Sequence, residues 1–126
     1  MKSILLVDDE EQVLNSYIRL LRKLDVNLLT APDGETAFEI LESEKVDLIL
    51  TDIYMEEDGI QLINNIRADS RFDQLPVIVV SGITNIGPLG TAEVVSDLGA
   101  DLVLSKPVNP EYLVEIIQSF LTEDSH

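Results

Sequence analysis

Cysteine is absent from the 126 residues, which excludes disulfides, thiol nucleophiles and thiolate metal sites. Histidine occurs once, as the final residue His126, so a Ser-His-Asp triad or a His-ligated zinc would have to draw on a frayed terminus. Positive charge is scarce: eight Lys and Arg face 24 Asp and Glu, for a net charge of −16. Nucleic-acid binding relies on Lys and Arg to neutralise phosphates, so this balance argues against direct contact with DNA or RNA. The scarcity is greatest in residues 72–126, where Lys106 stands alone against Asp73, Glu93, Asp97, Asp101, Glu111, Glu115, Glu123 and Asp124. No run approaches the roughly 18 apolar residues of a membrane span. The first apolar run, residues 4–7, is short and followed by acids, unlike a secretory leader. A soluble, cytoplasmic protein without membrane association is the expectation.

Hydrophobic residues make up 45% of the chain, enough to bury a sizeable core. The length fits one domain over 1–126, with a core of about 3–121 and a polar tail at 122–126. Most of the acids read as solvated surface; the remainder suit a partner surface that is basic or apolar. Strand-like and helix-like segments alternate along the chain. Strands are expected at about 3–7, 27–31, 47–51, 76–80 and 101–105. Helical spacing of Val13, Leu14, Tyr17, Ile18, Leu21 and Leu24 predicts a helix over about 10–24. Further helices are predicted from the Asp33-Gly34 turn to about 44, at about 59–68, near 91–98 with a stop at Gly99, and after Asn109-Pro110. Runs such as Ile4-Leu5-Leu6-Val7 and Val77-Ile78-Val79-Val80 are continuously apolar rather than alternating. Strands of that kind are covered on both faces, which implies a doubly wound α/β fold with a parallel sheet.

Four of these strands end on polar residues: Asp8-Asp9-Glu10, Asp52, Ser81-Gly82 and Lys106-Pro107. Ligands of open parallel sheets bind outside the carboxyl ends of the strands. Three carboxylates, a hydroxyl and an ammonium are therefore expected along one edge. Clustered carboxylates repel one another, and a hard divalent cation relieves that repulsion. An Asp carboxylate can act as the nucleophile of phosphoryl transfer, a reaction that needs positioning and charge stabilisation more than acid–base groups. Lys106 supplies a point positive charge and Ser81 a hydroxyl donor. Singly, each has an ordinary structural reading: an Asp-Asp helix cap, a solvated turn carboxylate, a plain strand exit, a lysine paired with a nearby acid. Jointly, those readings require four independent accidents at equivalent positions.

The ordered set also resembles the receiver domain of two-component response regulators over essentially the whole chain. It comprises the stretch from Ile4 to Glu10, Asp33-Gly34 with Ala37, the stretch from Asp47 to Met55, Asp58-Gly59, Pro76-Val77-Ile78 with Ser81-Gly82, Gly99-Ala100-Asp101 and Lys106-Pro107. The resemblance implies a flavodoxin-like three-layer sandwich around a five-stranded parallel sheet of order 2-1-3-4-5. It implies that Asp52 accepts phosphate from a histidine kinase, a phosphotransfer protein or a small phosphodonor. Asp8, Asp9, Asp52 and the backbone carbonyl of Tyr54 would hold Mg²⁺ or Mn²⁺, Lys106 would contact the phosphoryl oxygens, and Ser81 would act as the switch hydroxyl. The output face would comprise loop 82–90, helix 91–98, strand 101–105 and helix 110–121, presented to a protein target. Such a domain is a phosphoacceptor that takes part in its own phosphoryl transfer and dephosphorylation, not an enzyme acting on external substrates.

Several positions depart from the family pattern. Val103 occupies the place of the usual aromatic switch residue, so no ring rotation is available there. Glu56-Glu57 follows Met55 where proline is usual, and the 81–99 segment is a few residues long for the family. Two other functions compete with the phosphoacceptor reading: a phosphorylation-independent interaction domain on the same fold, and, further behind, a Mg²⁺-dependent phosphohydrolase, for which the chain offers no obvious cap. A monomer or weak homodimer is expected, because Glu93, Asp97 and Glu111 would need offsetting bases across any interface through the last helices.

Overall fold

Continuously apolar strands need cover on both faces, and the sheet has it. The computed structural model describes residues 1–52, 57–81, 99–105 and 107–123. Its strands are β1 (Lys2–Val7), β2 (Val26–Ala31), β3 (Leu48–Asp52), β4 (Val77–Ser81) and β5 (Leu102–Ser105). The helices are α1 (Glu11–Leu21), α2 (Gly34–Ser43), α3 (Glu57–Arg67) and α4 (Pro110–Glu123), with a 3-10 turn at Ser70–Phe72. All strand pairs are parallel, in the order β2-β1-β3-β4-β5. The expected doubly wound sheet is therefore the one observed. The predicted helix near 91–98 and the loop 82–90 lie outside the described residues.

Side chains alternate across a strand, and the alternation divides the core in two. Leu5, Val7, Ile49, Val77 and Val79 join Ala37 and Leu41 of α2 and Leu62, Ile63 and Ile66 of α3. Ile4, Leu6, Leu48, Leu50, Ile78 and Val80 join Leu21 of α1 and Leu113, Val114 and Ile117 of α4. Each apolar run thus feeds both cores, which is why it shows no polar alternation. Among the described residues no helix is long and apolar enough to cross a membrane.

The caps follow their residue types. Asp33 accepts a 2.7 Å hydrogen bond from the Thr36 backbone N–H at the start of α2, and Asn109 Oδ1 accepts from the N–H groups of Glu111 and Tyr112 at the start of α4. Two boundaries differ from expectation. Helix α1 stops at Leu21 rather than near 24, because the Leu24 N–H turns back to the Leu21 carbonyl at 2.9 Å; such a tight turn aims the chain into β2. Helix α3 starts at Glu57, two residues early. The 3-10 turn, capped by Asp69 on the Arg71 N–H, has too few residues to show a periodicity.

At the opposite end of the sheet from the strand-end acids, Arg67 ties three segments together. Its guanidinium donates to the carbonyls of Gly99 at 2.9 Å, Phe72 at 3.0 Å and Leu75 at 2.9 Å, and to Asp101 Oδ2 at 2.8 Å. The same Asp101 oxygen accepts from the Val77 N–H at 2.7 Å. The starts of β4 and β5 are therefore fixed relative to α3.

Candidate functional site

Strand register brings the acids of β1 and β3 together. Val7 pairs with Thr51, so Asp8 and Asp52 are the next residues on neighbouring strands. Asp52 in turn pairs with Val80, and Ser81 with Ser105. The carboxyl ends of the four strands thus fall within about one residue of a common line. Ser81 closes β4 one residue beyond the partner of Asp52. Lys106 follows Ser105 in the chain, but Lys106 and Tyr54 lie outside the described residues. Val103 lies in β5 and packs, partly buried, on the core beneath α2 and α3.

Asp8 is fully buried and Asp52 is 3% exposed, whereas Asp9 and Glu10 are exposed. The Asp8 N–H donates to the Ala31 carbonyl at 3.1 Å. Its Oδ1 accepts from the Glu10 N–H at 2.8 Å, an Asx-type turn that leads from β1 into α1 and fixes the carboxylate. Placing two carboxylates side by side away from water is costly without positive charge nearby.

The donor set suits a hard cation. Asp8, Asp9 and Glu10 can each offer a carboxylate oxygen, and these oxygens lie within 4.8 Å of one another. Oxygens on opposite sides of an octahedral Mg²⁺ are roughly 4.2 Å apart, given its bond lengths of about 2.1 Å. Small side-chain rotations bridge that difference. Glu10 is an addition to the acids expected from sequence, where it served only as part of the strand-end motif. Asp52 belongs to the same edge through its register beside Asp8.

A second addition is Tyr17 of α1. Sequence periodicity makes it one of several core residues on that helix, and its ring does pack on the core beneath α1 and α4. Its phenol also senses the acids. Burial first, then the charge of Asp52 and then that of Asp8, push its pKa up to about 12. Tyr17 and Val80 line part of a groove of about 810 Å³ that also includes Val13, Leu20, Val108 and Leu113. The arrangement combines two buried carboxylates, an adjacent cluster of hard oxygen donors and a partly buried phenol.

Comparison with known proteins agrees with this architecture. The family model for the response regulator receiver domain matches residues 4–118. Response regulator Rre1 of Synechocystis sp. is 34% identical over 121 residues, covering 94% of this chain and 51% of that protein. Response regulator GtcR of Aneurinibacillus migulanus is 35% identical over 123 residues, covering 95% and 48%. The chain spans about half the length of these curated relatives. A CheY-like response regulator receiver domain protein from Methanospirillum hungatei JF-1 shares the fold with a TM-score of 0.86 at 28% identity, covering 99% of this chain and 97% of that one.

Proposed function

We propose, from the premise that this chain belongs to the response regulator receiver domain family, that Asp52 accepts a phosphoryl group from a histidine kinase or phosphotransfer protein of a two-component system. The observation that carries the proposal is the pair of buried carboxylates, Asp8 and Asp52, at adjacent carboxyl ends of a parallel sheet. In the transfer, an Asp52 carboxylate oxygen forms the new bond to phosphorus. The bond from phosphorus to the donor imidazole nitrogen breaks, and its electron pair leaves with the imidazole. Asp8, Asp9, Asp52 and the Tyr54 backbone carbonyl would hold Mg²⁺ or Mn²⁺, with Glu10 supporting that set from its place beside Asp8 and Asp9. A bound divalent ion supplies positive charge against the clustered acids and the phosphoryl oxygens.

The remaining residues take roles by position. Lys106 would contact the phosphoryl oxygens as a point charge, and the Ser81 hydroxyl would follow the phosphoryl group and report its presence. With Val103 in place of an aromatic switch, the response would pass through the segment after Ser81 and through β5 and α4 to a protein target. The chain acts as a phosphoacceptor that takes part in its own dephosphorylation.

Incubation with acetyl phosphate, with and without Mg²⁺, read by intact mass, tests this reading. One phosphoryl group should be gained only with the metal, and Asp52→Ala should gain none. Equal labelling of Asp52→Ala would move the acceptor elsewhere. A folded wild-type protein left unlabelled both by acetyl phosphate and by a phosphorylated kinase or phosphotransfer partner would refute the assignment.

A further inference from the structure

Alternation along β1 and β3 decides which helix faces the acids. Ile4 and Leu6 of β1, and Leu48 and Leu50 of β3, belong to the core beneath α1 and α4. The next positions of the same parity are Asp8 and Asp52. Helix α1 starts at the acid-bearing edge of the sheet and runs toward the other edge. Tyr17 is six residues along it from Glu11, about 9 Å below its start. Long helical side chains lean back toward the helix N-terminus, which for α1 is the acid-bearing edge of the sheet, and the Tyr17 phenol senses the charge of Asp52 and then of Asp8. Leu14, Ile18 and Leu20 also pack on this core from α1, but each ends in hydrocarbon. Tyr17 alone among these residues brings a hydroxyl.

We propose that Tyr17 is a positioning residue that speeds dephosphorylation, its phenolic O–H hydrogen-bonding, directly or through one water, to the carbonyl oxygen of phosphorylated Asp52. The inference rests on the phosphoacceptor reading above. In hydrolysis, a water oxygen forms a bond to phosphorus while the bond between phosphorus and the Asp52 oxygen breaks. The electron pair returns to the Asp52 carboxylate, and both protons of the water leave with inorganic phosphate as H₂PO₄⁻. Negative charge therefore develops on the atoms that Tyr17 faces. A hydrogen bond to an ionised acceptor is roughly twice as strong as one to a neutral acceptor, so the bond strengthens in the transition state and accelerates release. In the forward direction the same bond favours the free carboxylate, so its loss does not slow labelling. A phenol ordinarily titrates near 10, so the Tyr17 hydroxyl stays protonated and able to donate throughout an ordinary assay.

The experiment loads the full chain with acetyl phosphate and Mg²⁺, removes the donor, and follows loss of the phosphoryl group by intact mass. Tyr17→Phe keeps the ring and removes the hydroxyl. It should label at least as fast as wild type and hold the phosphoryl group about tenfold longer, equivalent to ~1.4 kcal/mol. Tyr17→Leu, which keeps apolar packing without the ring, should show the same lengthening. This split is the readout that a merely structural role would not give, since a disturbed site slows labelling as well. An unchanged half-life in Tyr17→Phe overturns the proposal, as does lengthening confined to Tyr17→Leu, which would assign the effect to the ring. Where acetyl phosphate leaves wild type unlabelled, a phosphorylated kinase or phosphotransfer partner loads it instead; failure with both shows before any variant is compared and overturns the phosphoacceptor reading and the role of Tyr17 with it.

Discussion

Replacing Arg67 with alanine removes one side chain that ties α3 to two other backbone segments, 72–75 and 99–101. The guanidinium donates to the carbonyls of Gly99, Phe72 and Leu75 and to the Asp101 carboxylate. A typical intramolecular hydrogen bond contributes about 1 kcal/mol net, so the three carbonyl contacts amount to roughly 3 kcal/mol. The ion pair adds little, because its side chains are 21% and 41% exposed, and exposed pairs contribute about 0–1 kcal/mol. Water reaching the vacated carbonyls recovers part of the loss. The expected destabilisation is ~2–4 kcal/mol, read from the midpoint of urea unfolding with an unchanged slope. Arg67→Lys should restore less than half, since one ammonium cannot reproduce a planar fork aimed at four acceptors. Asp101→Asn should cost less than Arg67→Ala, because the amide oxygen can still accept from the Val77 N–H. A loss below ~0.5 kcal/mol for Arg67→Ala, or complete rescue by lysine, would refute the clamp.

Two further outcomes follow from the same structure. Gly99 has φ +120, a conformation that side-chain-bearing residues rarely adopt, and a Cβ there would lie 2.6 Å from Arg67 Cγ. Gly99→Ala should therefore destabilise by ~2 kcal/mol or more. A double-mutant cycle by urea unfolding should show a smaller cost in the Arg67→Ala background, where the clash is gone and the backbone penalty remains. At the start of α2, the Thr36 backbone N–H and then the Thr36 side chain hold the Asp33 carboxyl below its usual range. A lowered native pKa means that this stabilisation is present above the unfolded carboxylate value of about 3.9 and is lost as pH falls through the native value. Asp33→Ala should cost at most ~1 kcal/mol at pH 7, since solvent screens the cap, and the gap from wild type should shrink in thermal melts taken into that acidic range.

Much of the fold is written locally. The apolar runs at residues 4–7 and 77–80 announce strands covered on both faces, and each supplies alternate residues to the two cores. Asp33, Gly34, Asn109 and Pro110 mark helix starts through chemistry confined to a few neighbouring residues. The Arg67 clamp has no such signature. Its partners Gly99 and Asp101 lie 32 and 34 residues away, and a lone arginine near a helix end reads equally well as a solvated charge. The end of α1 shows the same limit in miniature. Leu24 keeps its helical spacing and still packs on the core, yet the helix has already turned at Leu21.

The acids of the site were legible for a geometric reason. A parallel sheet gathers the carboxyl ends of its strands on one edge, so residues just after predicted strands must be neighbours there even when far apart in sequence. Register turns that expectation into a specific pairing, with Asp8 beside Asp52. Tyr17 was legible only by half. Helical period correctly assigns it to the face that meets the sheet, together with Leu14 and Ile18. Period says nothing about height along the sheet, and height decides whether a phenol meets hydrocarbon or carboxylate. That height depends on where α1 begins, which the Asp8–Glu10 turn sets, and on how far a ring leans back along its helix. The same turn that fixes the buried carboxylate thus fixes the starting point of the helix that brings the phenol toward it. A change in that turn should alter both the strand-end acids and the reach of Tyr17, even though the two are seven residues or more apart in the chain.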